Sequence, residues 1–421
     1  MSNIRDGLIE SNPWWKGDFD LEYKDREAYD EIQKFIALPQ IVALTGLRRV
    51  GKTTLMFKMA KDAITKGLDP KAVVYFSFDE FHESPIREVL RGYETIMRED
   101  LGAGRHLILL DEVQKLRGWE DQLKAVYDRY RKKLKIIISG SESLFIRKGS
   151  RESLAGRIFE FKIDPLSFRE YLFFLGIKYE PLELYERELA RLFDEFMLSE
   201  GFPELVGVKD KQVVKKYLRE SIVEKVIFRD LSVLLAIRNV ASLESLLNIL
   251  MEEPGQLVEI SELAGQLRIS RQTLSDYLYY LEQSFLVRKL YNYSTGRRKV
   301  ERKLRKYYPT VASVDMLFRD DDMSRSRVLE TVCVNQLKAE FFWRDKYKNE
   351  VDMVLTNNKP IPIEVKHGKP DLTGLNVFMR KFSIKKGYIV SRDIEEKREV
   401  DGKEIFIVPA YKYFLTQAVK I

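Results

Sequence analysis

The pattern of apolar and polar positions changes character several times along the chain. Ile41-Val-Ala-Leu-Thr45 is an apolar run of strand length, and the periodicity after it predicts a helix over roughly Lys52 to Thr65. His106-Leu-Ile-Leu-Leu-Asp111 and Leu134-Lys-Ile-Ile-Ile-Ser139 are further short apolar runs of the buried parallel type. From about Ser167 to Ala236 apolar residues recur every three or four positions, which predicts helices and no strand. Residues 242–290 predict three helices, the third opened by Ser270 as N-cap, and then a strand at Phe285–Tyr291. A loop at 294–299 and a strand at Lys303–Tyr308 complete a hairpin. Past Thr310 the pattern becomes a helix, Ser324–Lys338, followed by strands at Phe341–Arg344, Glu350–Leu355 and Ile361–Lys366.

The first strand runs into Gly46-Leu47-Arg48-Arg49-Val50-Gly51-Lys52-Thr53-Thr54, which fits G-x-x-x-x-G-K-[ST] at every fixed position. Glycines at 46 and 51 let backbone amides curl around phosphate oxygens, and the helix that follows points its positive end at them. Lys52 is expected to neutralise the β and γ phosphates of ATP, and the Thr53 hydroxyl to ligate Mg2+. Asp111 and Glu112, at the end of the second run, match a magnesium-holding acid and a base for the attacking water. Ser139 or Ser141 is placed to sense the γ-phosphate, or simply ends a strand. Arg157 either touches nucleotide phosphates, from its own chain or a neighbour's, or is a surface ion-pair residue.

Together with Leu110-Asp-Glu-Val-Gln, Ser139-Gly-Ser, Ala155-Gly-Arg, Gly201-Phe-Pro-Glu204, Ile227-Phe-Arg-Asp230 and above all Asp164-Pro-Leu-Ser-Phe-Arg-Glu-Tyr171, the chain resembles archaeal and bacterial AAA-type ATPases of the STAND-related group. The resemblance implies an α/β fold: a P-loop parallel-sheet ATPase core at 1–165 and a helical lid over the nucleotide at 166–236. A winged helix with a basic wing at 237–310 and a C-terminal α/β domain at 311–421 follow. In the winged helix, Arg271 and Gln272 stand where a recognition helix faces the major groove, and Arg297, Arg298 and Lys299 where a wing meets DNA phosphates. The alternative is a module that packs on protein.

The last segment resembles the core of PD-(D/E)xK, or restriction-endonuclease-like, nucleases, through Glu330 on the helix, Asp352 on one strand, and Glu364 and Lys366 on the next. Glu364 and Lys366 share a face because a strand repeats every two residues. Asp352 and Glu364 can hold Mg2+ while Lys366 stabilises developing charge, or the site is a vestigial scaffold.

Composition narrows this picture. Three histidines (His82, His106, His367) and one cysteine (Cys333) leave oxygen ligands to hold any metal. They also exclude an intrachain disulfide and fit a reducing cytoplasm. No apolar run approaches the roughly 18 residues of a membrane span, and the N-terminus lacks the apolar centre of a signal peptide. Net charge is +7, and the stretch Arg288–Lys306 holds nine Lys or Arg against one acid, Glu301. That local concentration favours DNA as the partner. The expected activity is ATP hydrolysis coupled to DNA. The rivals are a signalling ATPase whose C-terminal half binds protein, and a homo-oligomeric ring that translocates on DNA without cutting it.

Overall fold

The computed structural model describes residues 2–17, 19–131, 133–140, 153–231, 237, 239–296, 304–311, 314–317, 319, 321–356, 359–368 and 371–416. The chain divides into two compact units, Met1–Asp164 and Pro165–Ile421.

The first unit is built on a five-stranded sheet. Its strands are β1 (Ile41–Thr45), β2 (Val73–Ser77), β3 (His106–Asp111), β4 (Leu134–Gly140) and β5 (Ile158–Lys162). Their order is β2-β3-β4-β1-β5, with every neighbour parallel. All residues of β1 and β3 are buried, as the unbroken apolar runs require of strands covered on both faces. Helices α1 (Ser2–Ser11), α2 (Glu27–Ile36), α3 (Lys52–Thr65), α4 (Ile86–Met97) and α5 (Trp119–Tyr130) supply the covers. Because β4 lies between β1 and β3, the carboxyl ends of the three strands bring the glycine-rich loop, Ser139 and Asp111 to one edge.

The second unit begins with helices α6 (Phe168–Phe174), α7 (Glu186–Ser199) and α8 (Lys211–Lys216), the last continuing into π-helical turns through Leu231. Ser167 and Glu170 close a capping box that starts α6. The resemblance implied a separate lid here. Instead, Phe168, Tyr171, Leu189, Phe193 and Phe196 share one core with Val328, Val332, Cys333 and Phe414 of the C-terminal half. Phe193 stacks on Phe414 at 5.8 Å, and the Arg169 guanidinium donates to Leu415 O at 3.0 Å. The apolar face of these helices is buried within the second unit.

Helices α9 (Val240–Glu252), α10 (Ile260–Gln266) and α11 (Arg271–Gln283) precede β7 (Val287–Asn292) and β8 (Arg305–Pro309), with β6 (Leu257–Val258) pairing on β8. Helix α12 (Asp322–Gln336) leads to β9 (Phe341–Arg344), β10 (Glu350–Thr356) and β11 (Pro360–Lys366). After these come α13 (Thr373–Lys381), β12 (Lys386–Ser391), β13 (Glu396–Val400), β14 (Lys403–Pro409) and α14 (Ala410–Thr416). Strand pairing continues across position 310. β7 pairs in parallel with β9, so one nine-stranded sheet, β13-β14-β12-β11-β10-β9-β7-β8-β6, crosses it. Tyr293 packs edge-on to Phe341 and Phe382 at the margin of that core.

Candidate functional site: a phosphate loop and a buried acid cluster

The loop after β1 has the backbone its sequence demands. Gly46 has φ +142°, and a Cβ there would lie 2.2 Å from Ile163 O, so only glycine lets the end of β5 approach. Gly51, at φ +93°, caps α3. Leu47 and Val50 are buried while Arg48 is partly exposed, and Arg49 sits in the left-handed region at φ +63°. Lys52 is buried and donates to Gly46 O at 3.1 Å and Leu47 O at 2.8 Å. Its ammonium is therefore held at the mouth of the loop. Thr54 follows one position into α3.

Asp111 is the hub beside it. Its Oδ2 accepts from Thr53 Oγ1 at 2.8 Å and from the Tyr75 hydroxyl at 2.8 Å, and its Oδ1 is bonded by Ser139 Oγ. Burial and the Asp111 carboxylate push the Tyr75 phenol well up, which keeps it a donor. Glu112 has left-handed φ of +53°; its amide donates to Ser139 Oγ at 3.3 Å, and Gln114 Nε2 donates to its carboxylate at 2.6 Å. The hydroxyl of Thr53 and the carboxylate of Asp111 occupy one spot beside Lys52, a hard-oxygen pair suited to magnesium.

Arg26 escaped the sequence reading. It is buried, and donates through Nη1 to Val50 O at 2.7 Å and through Nη2 to Asp164 O at 2.8 Å, strapping the loop to the end of the unit. Nothing local marks it. Its partners lie 24 and 138 residues away. Arg157 calls for a correction. Its carbonyl accepts from Ile41 N at 2.8 Å, and β5 runs parallel to β1, so Arg157 stands at the opposite end of the strands from the loop. Five residues of strand separate them, about 16 Å. Its guanidinium pairs with Asp128 at 2.9 Å. A role on its own chain's nucleotide is ruled out by this placement. Ser141 lies outside the described residues.

In the second unit four predicted residues converge. The antiparallel register Met353↔Ile363 sets Asp352 on β10 opposite Glu364 on β11. The Lys366 ammonium lies 2.8 Å from Glu364 Oε2 and 4.0 Å from Asp352 Oδ2. Asp352 Oδ2 also accepts from Val365 N at 2.8 Å. Glu330 on α12 accepts from the Tyr308 hydroxyl at 2.6 Å, and the buried Lys306 pairs with Glu350, which Arg344 also reaches at 3.0 Å. Lys306 and Tyr308, both on β8, were not foreseen. Burial, reinforced by the Asp352 charge, raises the Glu330 carboxyl to about 7 and that of Glu364 to about 8. Asp352, Glu364 and Lys366 therefore lie side by side, as the sequence places them. The Lys366 ammonium pairs closely with Glu364 and reaches Asp352 at the limit of an ion pair. Among the described residues no group of three or more His, Cys, Asp or Glu is arranged to hold a metal.

Arg271 and Gln272 are exposed on the first turn of α11, where Gln272 Nε2 donates to Asp276 at 2.9 Å. Arg297, Arg298 and Lys299 fall outside the described residues. No helix of the described residues is long and apolar enough to cross a membrane.

Residues 38–172 match a family described as an AAA domain, and residues 190–310 and 326–413 match two domains of unknown function, DUF8612 and DUF4143. An uncharacterised protein of Methanocaldococcus jannaschii is 27% identical, covering 93% of this chain and 87% of its own length. One from Mycobacterium tuberculosis is 24% identical over 81% of this chain and 73% of its own. Among solved structures, AMPPCP-bound DnaA from Aquifex aeolicus covers 63% of this chain and 89% of its own at 18% identity and a TM-score of 0.30. Thermotoga maritima RuvB covers 67% and 88% at 18% identity and 0.28. Both are too distant to carry function. The loop, the strand order and the family match agree: the chain carries a AAA-type P-loop ATPase domain with an α/β fold.

Proposed function

We propose that the chain is an ATP-hydrolysing switch or motor that acts on DNA through its second unit, in which 237–310 serve as a winged helix and 311–421 as a nuclease-like fold. The observation that carries the ATPase part is the meeting of Lys52, Thr53, Asp111 and Ser139 at one sheet edge. Lys52 offsets charge on the β and γ phosphates, and Glu112 accepts the proton of the attacking water. Ser139, tied to both Asp111 and the Glu112 amide, holds the two acids in register. Thr53 and Asp111 would hold Mg2+, which supplies charge neutralisation at the phosphate oxygens. The DNA part is supported by the basic run across the hairpin and the exposed Arg271 and Gln272.

A second reading has support from Lys366. With its ammonium already paired to Glu364 and in reach of Asp352, the C-terminal fold binds without cutting, whether its partner is DNA or protein. ATPase rate measured without DNA and with duplex, single-stranded and branched DNA tests the proposal. Stimulation by at least one form is expected. No stimulation, together with no DNA binding at low salt, would sink the DNA reading. Magnesium- or manganese-dependent nicking that vanishes in Asp352→Ala would instead overturn the non-cutting one.

A further inference from the structure

The first unit has a cavity at the end of the sheet opposite the phosphate loop. It encloses about 490 Å³, within the range of small-molecule sites. Its walls are the far parts of α2 and α3 and the amino ends of β3 and β4. Along α3 from Lys52 to Lys66 the rise is about 20 Å, so the cavity is remote from the ATP site. Ile36, Pro39, Met59, Leu107 and Ile137 give it an apolar body.

Its charge is one-sided. Lys66, Arg105, Arg131, Lys133 and Lys135 line it, against the single acid Asp62. Asp62 is already engaged by the Tyr29 hydroxyl at 2.6 Å, Gln33 at 3.2 Å and Lys58 at 2.5 Å. Lys135 is half-buried and donates to three carbonyls, Phe35 O at 2.9 Å, Leu38 O at 2.8 Å and Gln40 O at 2.7 Å. Those carbonyls satisfy its N–H groups and leave its positive charge uncompensated. Lys133 bonds a carbonyl, Gly102 O, and Arg131 lies 5.8 Å from the Tyr127 ring. Lys66, Arg105, Arg131 and Lys133 are exposed around the mouth. Four exposed cations over an apolar hollow exceed what one carboxylate needs and suit a dianion.

We propose that this cavity is a second ligand site, taking a small organic phosphate with an aromatic or otherwise apolar body of about mononucleotide size. The phosphate meets the basic mouth and the body enters between α2 and α3. The site touches the base of α3, β3 and β4, the elements whose other ends carry Thr53, Asp111 and Ser139.

Pyridoxal 5′-phosphate is the probe, applied to the full chain with its P-loop filled by AMPPCP and magnesium. Its aldehyde condenses with a lysine amine, releasing water, and borohydride then delivers hydride to the imine to fix a secondary amine for peptide mapping. Saturable modification confined to Lys66, Lys133 or Lys135 is expected. Pyridoxamine 5′-phosphate should suppress it at least tenfold, and pyridoxamine, which lacks the phosphate, should not. Arg105→Ala/Arg131→Ala, both at exposed positions, should lower it about tenfold while ATPase in the absence of probe is unchanged. Labelling spread evenly over surface lysines, equal competition by pyridoxamine, or an unaffected double variant each overturns the proposal.

Discussion

Arg26 joins the phosphate loop to the end of the first unit through two carbonyls, Val50 O and Asp164 O. Two charge-assisted bonds of this kind hold about 1.5–3 kcal/mol each. If half of one is used to order the loop for nucleotide, Arg26→Ala raises KM for ATP about four- to tenfold and changes kcat little. Steady-state ATPase kinetics would show it, and an unchanged KM would mean the strap is only structural. Residue by residue, the glycines, Lys52, Thr53 and the Asp111-Glu112 pair were legible because their meaning is local. Arg26, Lys306 and Tyr308 were not, since each is defined by partners far along the chain. Glu364 gives a second prediction. Its raised pKa means the folded state holds a proton that the unfolded state releases near 4.5. That contribution is fully present below about pH 4.5 and is lost as pH rises through about 8. Denaturant unfolding of the second unit should therefore show stability falling from pH 5 to 8, and Glu364→Gln should flatten the slope. An identical slope in the variant would refute the assignment.

Among elements, strands buried on both faces were readable from unbroken apolar runs, and their parallel packing followed. The helices α6 and α7 show the opposite case. Apolar residues every three or four positions reveal that a face is buried, yet say nothing of what covers it. Here the cover is α12 and α14, through Phe193 against Phe414 and Gln336 bonding Phe168 N at 3.2 Å. Phe193→Ala should cost about 3–5 kcal/mol. The loss belongs to the unfolding transition of the second unit, while nucleotide-dependent stabilisation of the first is retained. Calorimetry with and without an ATP analogue separates the two, and a loss confined to the nucleotide-sensitive transition would contradict the packing described.

For the whole molecule, the pattern changes near 310, and the pairing of β7 with β9 crosses that position. Cutting there strips β9 of β7 and exposes Phe341 along an open strand edge, a surface prone to aggregation. A fragment of 311–421 is expected to aggregate, whereas 165–421 elutes as a folded species in size-exclusion chromatography. A soluble, folded 311–421 would show that the β7–β9 pairing is dispensable.

The position of Lys306 and Tyr308 on β8 bears on how such a chain can diversify. An exchange of the C-terminal segment at 310 by recombination would import Glu330 and Glu350 without the phenol and ammonium that accompany them here. Glu330 would arrive without its phenol donor, and Glu350 with Arg344 as its remaining partner. A chimera that exchanges this segment is expected to need the preceding hairpin with it, or matched changes at positions 306, 308 and 330.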